Sequence, residues 1–281
     1  MNIRNTVLAA ALLGTIGFSQ SSMAITIDGI TFANGSNFET LDLFQGRRGG
    51  GAITAVGDEL IGIGIVNRIL DADNNVLWQN GDDGRELTVY FQGYFAESLA
   101  TDAFGTTFLD RILFSGGSLS LFSDSTPNFS ASGTQAAGIA SATDGSLFLS
   151  LTGSAIGGFG ANTGDPITLA SEALRNSGDP FTNSFNITGR GLLDVTGGSA
   201  ASFFNTNTFG CVGANGAPCP DDADKSFTSS GQLGVAGAWA ARGTGEVQDV
   251  ALIPEPATLA LLGVGLAGMA FGTRRKAKAV A

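Results

Sequence analysis

The carboxyl-terminal part of the chain constrains its fold and location most, because an apolar run there ends in a cluster of cations. The run extends from Ala257 to Phe271, and the cations that follow it are Arg274, Arg275, Lys276 and Lys278. Moving these charges across a bilayer is costly, so such a segment stops in a membrane with its basic end in the cytoplasm. We therefore expect the residues between an export leader and this tail to fold outside the inner membrane.

The length of the apolar run favours transient over permanent anchoring. As an α-helix, the run would be about 22 Å long, whereas the hydrocarbon core of a bilayer is about 30 Å thick. Pro254 and Pro256 would end this helix at its amino-terminal side. We predict a C-terminal transmembrane helix that holds the chain in the inner membrane only temporarily.

The triplet Pro254-Glu255-Pro256 lies directly before the apolar run. With the run and the basic stop, it makes residues 253–281 resemble a PEP-CTERM sorting signal, which is found on exported proteins of Gram-negative bacteria. The resemblance implies processing by an exosortase-type membrane protease and delivery to the cell surface or extracellular matrix. It also implies a structural or adhesive role in biofilm, floc or exopolysaccharide assembly, with exopolysaccharide as a partner. Residues Gly117 to Gly153 and Leu192 to Phe204 resemble flocculation-associated members of this group.

The amino terminus has the pattern of a secretory signal peptide. Arg4 supplies a positive charge, Val7 to Phe18 is an apolar stretch too short to span a bilayer, and Ser22-Met23-Ala24 is a small-x-small cleavage site. We predict that signal peptidase removes residues 1–24 by cutting after Ala24. An uncleaved membrane anchor is the alternative.

Between these two signals the sequence has the two-residue periodicity of β-strands. In Leu87 to Phe95, apolar residues alternate with Thr88, Tyr90, Gln92 and Tyr94, which predicts a half-buried strand. The other strand candidates are Ile25 to Phe32, Leu60 to Leu70, Arg111 to Phe122, Ser146 to Thr152, Phe185 to Val195 and Phe227 to Val235. Runs of Gly, Ser, Asn and Asp separate these segments and are typical of turns.

We therefore predict an all-β ectodomain at residues 25–236, folded as an antiparallel β-sandwich or barrel. Ile167 to Asn176 and Ser199 to Phe204 have patterns that could each form a short helix. Residues 237–252 are predicted to be either a stalk or the last strand, before the sorting segment at 253–281. A region of this size buries enough surface to fold without a cofactor.

The charge and the absence of histidine exclude several classes of function. The whole chain has a formal net charge of -11, and the ectodomain is more acidic still because Arg4 and the four tail cations lie outside it. Such a surface repels phosphate backbones, so nucleic acid is not an expected partner. Without an imidazole, the chain cannot build Ser-His-Asp or Cys-His nucleophile systems or histidine-rich metal sites. We predict that the protein is not an enzyme.

A glycoside hydrolase is the remaining enzymatic option, because its chemistry needs only two carboxyl groups at a suitable separation. The sequence gives no reason to choose any pair among the available acids. These acids are Glu39, Asp58, Glu59, Glu86, Glu97 and Glu172.

The two cysteines, Cys211 and Cys219, predict a disulfide. The export signals place them in an oxidising compartment, and Gly213, Gly216 and Pro218 allow the short loop between them to close. Zinc is disfavoured, because two cysteines without histidine do not complete a four-ligand site.

Acidic loops leave calcium open as a ligand. Asp71, Asp73 and Asn75 place oxygen atoms at alternate positions, and Asp82 follows where the last acid of an EF-hand-like loop would lie. Val76, however, stands where such a loop needs glycine. The alternative interpretation is a plain hairpin turn. A second acidic loop with the same two interpretations contains Asp221, Asp222 and Asp224.

A carbohydrate-binding module is the alternative to a matrix role. Tyr90 and Tyr94 are predicted on the outward face of one strand, with Gln92 between them, and Trp78 ends a nearby short strand. Flat aromatic rings beside amides suit stacking against sugar rings. The other interpretation is that a second sheet or a loop covers these side chains and makes them part of the core.

Overall fold

The computed structural model describes residues 24–33, 35–104, 107–157, 166–176, 186–212, 216–234 and 237–249. The predicted signal peptide up to residue 23 and the predicted sorting segment lie outside the described residues. Within the described part, no helix has the length and apolar character that crossing a membrane requires.

The described residues are mostly in β-strands. The strands are β1 (Ile25–Ile27), β2 (Ile30–Phe32), β3 (Asn37–Arg47), β4 (Glu59–Leu70), β5 (Val76–Gln79), β6 (Glu86–Phe104), β7 (Thr107–Asp124), β8 (Ser146–Ser154), β9 (Ile167–Asn176), β10 (Asn186–Gly197), β11 (Lys225–Leu233) and β12 (Ala241–Asp249). The helices are α1 (Gln135–Ala142) and α2 (Ala201–Phe204), and a single 3-10 turn spans Asp82–Gly84. The prediction of a mostly antiparallel β fold is confirmed.

The large sheet closes on itself. Its antiparallel pairings run from β11 through β12, β3, β4 and β6 to β7, and β10 in turn pairs with β11. The gap between β7 and β10 is filled by β8 and β9, each of which pairs with both of those strands. The result is one closed antiparallel sheet rather than two facing sheets, and its inner face surrounds the main hydrophobic core.

A bulge in β6 changes which side chains face the interior. The register with β4 shifts between Leu60 and Gly62, opposite the point where Gly93 adopts a positive φ of 74°. Phe91 before the bulge and Tyr94 after it are therefore both buried in the interior core. The simple alternation predicted for Leu87 to Phe95 is wrong beyond Gln92, because the bulge adds one residue to the strand.

Aromatic side chains close one end of the sheet, which we call the closed end. The β1–β2 hairpin brings Phe32 to Phe148 and Phe204, with ring centroids 6.1 Å and 4.6 Å away, respectively. Lys225, which has no exposed surface, places its ammonium nitrogen 4.0 Å from the centroid of the Phe204 ring. The predicted short helix ending at Phe204 is confirmed as α2, and it supplies part of this plug.

Ile167 to Asn176, predicted as a possible helix, is the strand β9 instead. Residues Ile167, Thr168, Leu169 and Ala170 are all buried, because the two faces of β9 contact different parts of the protein. Leu169 belongs to the interior core, whereas Ile167 and Ala170 pack with Leu113 on the outside of the sheet. A strand buried on both faces loses the alternation that distinguishes it from a helix.

The last strand fixes the point from which the tail leaves the domain. Ala241 pairs with Gln45 near the end of β3, and Gln248 pairs with Asn37 at its beginning. Asn37 in turn pairs with Leu70 at the closed end. The segment predicted as a stalk or last strand is thus largely β12, and the chain after Asp249 continues from the closed end.

Candidate functional site

A cavity of about 220 Å³ lies inside the sheet, toward the end opposite the aromatic plug. We call this end the open end. The cavity wall is formed by side chains from most strands of the ring, and large apolar residues predominate in its deeper part. These are Leu60, Phe91, Ile112, Phe114, Leu119 and Leu169.

Small side chains create this space. Ser171 and Ala173 on β9, Ser229 on β11 and Ala241 on β12 all line the cavity. Larger residues on these strands would fill the interior, as phenylalanines do at the closed end. Closed sheets of about eight strands are just wide enough either to be filled by side chains or to hold one small ligand. In this chain, the small residues at the open end leave a space the size of a small ligand, whereas phenylalanines fill the closed end.

Tyr94 is the main polar side chain within the deeper wall. It exposes only 4% of its surface, and burial raises the pKa of its hydroxyl. Among the described residues none forms a hydrogen bond with this hydroxyl. By contrast, the hydroxyl of Tyr90 donates to the side-chain oxygen of Gln92 at 2.7 Å.

Acidic and hydroxyl groups surround the cavity nearer the open end. Asp110 is 9% exposed and accepts a hydrogen bond of 2.6 Å from the Thr101 hydroxyl. Both residues line the cavity. Next to them, Arg111 pairs with Glu172 across β7 and β9 at 2.9 Å. The entrance therefore carries both acidic and basic side chains, because Arg111 also lines the cavity.

Glu59 fixes the bulge that positions Tyr94. Its carboxylate accepts a hydrogen bond of 2.9 Å from the backbone N–H of Gly93. The same carboxylate is held by Arg48, whose hydrogen bonds lower the pKa of Glu59 and whose own pKa is raised by them. This ion pair connects the β3–β4 loop with the strand that carries Tyr94. The sequence pattern alone does not predict this ion pair. The bulge does have a sequence signal, because a glycine inside a strand is a recognised sign of one.

The three aromatic residues predicted to bind glycans do not share an exposed face. Trp78 is 1% exposed and Tyr94 is 4% exposed, and both belong to the interior core. Tyr90 is half-buried and packs on the opposite side of the sheet, next to Ile61 and Ile63. The predicted outward platform is wrong for Trp78 and Tyr94, and the alternative that these side chains are core residues is confirmed.

The first acidic loop is a hairpin turn between β4 and β5. Asp71 accepts hydrogen bonds from the backbone N–H groups of Asp73 and Asn75 at 2.9 Å and 2.8 Å. Asp82 accepts one from the N–H of Gln79 at 2.9 Å. These carboxylates therefore serve the turn itself. In the part of the chain that the structure describes, no three acidic or cysteine side chains are grouped to hold a metal ion, and calcium binding stays a prediction.

The second acidic loop also has a structural role. Asp224 is 2% exposed, and its carboxylate accepts hydrogen bonds from the N–H groups of Val195, Thr206 and Asn207 at 2.7, 2.5 and 2.8 Å. It thereby joins β10 to the segment after α2. The nearby Cys211 and Cys219 lie at disulfide-bonding distance, as predicted, with their Cα atoms 5.3 Å apart.

The acids considered for glycoside hydrolysis each have local partners. Glu39 pairs with Arg68, Asp58 with Arg47, Glu59 with Arg48, and Glu172 with Arg111. Glu86 accepts hydrogen bonds from the backbone of residues 128 and 129, and Glu97 accepts one from Ser115. These contacts account for the acids as parts of the fold, and the absence of enzymatic activity stays a prediction.

Comparison with known protein families identifies the tail. A family model for the PEP-CTERM protein-sorting motif matches residues 252–276. The chain carries a PEP-CTERM sorting motif. The match covers the Pro254-Glu255-Pro256 triplet, the apolar run and the first three of its basic residues. No curated protein and no solved structure matches the chain.

The PEP-CTERM motif implies export to the cell surface by way of the membrane and processing by exosortase, a membrane protease. The resemblance inferred from the Pro-Glu-Pro triplet is thus confirmed. The signal peptide ending at Ala24, the exopolysaccharide partner and the resemblance to flocculation-associated proteins stay predictions.

Proposed function

We propose that this PEP-CTERM protein is a non-enzymatic component of the cell surface or extracellular matrix, with a structural or adhesive role in biofilm, floc or exopolysaccharide assembly. The observation that carries the proposal is the sorting motif directly following an all-β domain. The motif directs the protein to the cell surface. The closed sheet is a folded domain that can present its loops to other molecules there.

The topology of the sheet supports a display role. Because β12 ends at the closed end, a tail held in the membrane keeps that end near the bilayer and the open end away from it. The open end carries the β3–β4 loop, where Val56 is 65% exposed. Loops at the distal end of a tethered domain are free to meet other cells or matrix polymers.

Replacing Pro254-Glu255-Pro256 by three alanines tests whether location depends on the motif. The variant should remain in the membrane fraction, whereas the unaltered chain should reach the surface or the medium. Pro127→Ala, at an exposed position in the ectodomain, is the control and should be sorted normally. Equal delivery of the triple variant would disprove this role for the motif.

Deletion of the gene tests the matrix role separately. We expect the deletion strain to form less aggregate or biofilm mass, with recovery on re-expression of the unaltered chain but not of the triple-alanine variant. Unchanged aggregation in the deletion strain would contradict the adhesive role even if sorting is correct. Turnover of chromogenic glycosides by the purified protein would instead support the hydrolase alternative.

A further inference from the structure

Tyr94 is a buried polar residue whose hydrogen-bonding capacity the fold does not use. The side chain lines the cavity, is 4% exposed, and has no hydrogen bond to its hydroxyl from any residue that the structure describes. Buried tyrosine hydroxyls ordinarily find a partner, because removal from water without one is unfavourable. The cavity provides the space in which a partner from outside the chain can lie.

We propose that the cavity binds a small, uncharged apolar molecule whose hydroxyl group forms a hydrogen bond with the Tyr94 hydroxyl. A mostly apolar wall with a small number of polar groups is the usual composition of a small-molecule site, and Tyr94 is the polar group within the deeper wall. The volume of about 220 Å³ exceeds that of a cavity of about 150 Å³ that takes up benzene. Alcohols and phenols somewhat larger than benzene therefore fit the space.

The apolar wall selects against anions. The large side chains that form the deeper part are Leu60, Phe91, Ile112, Phe114, Leu119 and Leu169. A carboxylate placed against them would lose its hydration without gaining a charged partner there. Asp110 and Arg111 both line the cavity nearer the open end, so the entrance carries charges of both signs. An uncharged hydroxyl loses much less on entering, so the selection against anions comes from the wall and the hydrogen bond from Tyr94.

Binding can be measured by calorimetry on the full chain in lipid nanodiscs, with empty nanodiscs as the blank. Benzyl alcohol, toluene and benzoate serve as probes because they share a ring and differ in polar group. We expect saturable binding of benzyl alcohol and toluene, and much weaker binding of benzoate. Tyr94→Phe should weaken benzyl alcohol binding by about 2- to 10-fold, the effect of one hydrogen bond, and leave toluene unchanged.

Two further variants locate the site. Tyr90→Phe changes the other tyrosine and should leave all three probes unaffected. Ala173→Phe fills the cavity near the open end and should abolish the binding of benzyl alcohol and toluene. No saturable binding of benzyl alcohol, or an equal affinity in Tyr94→Phe, would overturn the proposal. Retained binding in a folded Ala173→Phe variant would also overturn it, and if that variant does not fold, the Tyr94→Phe comparison still decides.

Discussion

The ring of Phe91 lies over the backbone of Gly62, its neighbour across β4 and β6. A Cβ atom at position 62 would be 2.2 Å from the ring of Phe91 and 2.6 Å from the carbonyl oxygen of Phe44. The ring can take this position only because Gly62 has no side chain. Phe91 is also part of the cavity wall, so Gly62 helps to set the shape of the cavity. Rotation of the Phe91 side chain would not make room for a larger residue at position 62, because the backbone carbonyl of Phe44 would still be too close.

Gly62→Ala is therefore expected to destabilise the protein by about 2 kcal/mol, the usual effect of overpacking a core. Chemical denaturation measures the change in the free energy of unfolding. Gly197→Ala in β10 is the control, because a Cβ there would meet nothing within 4 Å. Equal stability of Gly62→Ala and the unaltered chain would show that the interior is looser than this contact implies.

A second prediction concerns pH. Burial raises the pKa of Glu86, and the nearby carboxylates of Asp124 and Asp144 raise it further, although hydrogen bonds from the backbone of residues 128 and 129 oppose the shift. The folded protein thus binds this proton more tightly than the unfolded chain does. Stability is expected to fall as the pH rises from the ordinary pKa of about 4.5 through the raised value.

Glu86→Gln should reduce this pH dependence and make the protein more stable than the unaltered chain at neutral pH, while Asp194, whose pKa burial also raises, still contributes to it. The amide oxygen can still accept from the backbone N–H groups of Asn128 and Phe129, which lie 3.1 Å and 3.0 Å from one carboxylate oxygen. Melting temperatures between pH 3.5 and 8 provide the measurement. Asp73→Asn changes the same charge on an exposed turn and should leave the slope as it was. An unchanged dependence of stability on pH in Glu86→Gln would assign that dependence to another group, such as Asp194.

The strands are predictable from the sequence where one face is buried and the other is exposed to solvent. They are less predictable where both faces are buried or the side chains are small. β8 shows the expected alternation from Leu149 to Thr152, but Leu147 is exposed because the register shifts before Leu149. β12 carries few large apolar residues, and its buried ones are Ala241 and Val247. Glycines such as Gly243 take inward positions there, which weakens the hydrophobic pattern. Closure of the sheet depends on the pairing of β10 with β11, which no local pattern encodes.

The candidate site was less predictable than the fold. Strict alternation predicts Tyr94 on the outer face of β6, and the bulge at Gly93 turns it to the inner face instead. The cavity itself arises from small residues on strands distant in sequence, such as Ser171, Ser229 and Ala241. The sorting tail, in contrast, is a contiguous motif and could be identified directly.

The cysteine pair gives a third prediction. The Cα atoms of Cys211 and Cys219 lie 5.3 Å apart, and Val212 pairs with Pro218 inside the loop. Closing a loop of this size should stabilise the protein by about 2.5 kcal/mol in the chain-entropy model. Replacing both cysteines by alanine should lower the free energy of unfolding by a similar amount, and a reducing agent should affect only the unaltered chain. Insensitivity of the unaltered chain to reduction would mean that the thiols are not joined.

The orientation of the tethered domain gives a fourth prediction. Val76 follows the β4–β5 turn at the closed end, where it pairs with Leu70, and is 52% exposed. Val56 lies in the β3–β4 loop, beside Gly57, whose N–H donates to Ala96 at 2.8 Å. The two exposed valines are therefore at opposite ends of the sheet. With the tail in a bilayer, a label at Val56 should be roughly 20 Å farther from the membrane, given the rise and tilt of the strands.

Val56→Cys and Val76→Cys, each carrying a fluorophore, allow this orientation to be measured on the full chain in vesicles that contain spin-labelled lipid. Both native cysteines are paired, so each variant has one site for the dye. Quenching should be much stronger at position 76 than at position 56. Equal quenching would mean that the domain lies on its side, and stronger quenching at 56 would mean that the open end faces the bilayer. The expected order places the open end, and with it the mouth of the cavity, on the side of the domain away from the membrane.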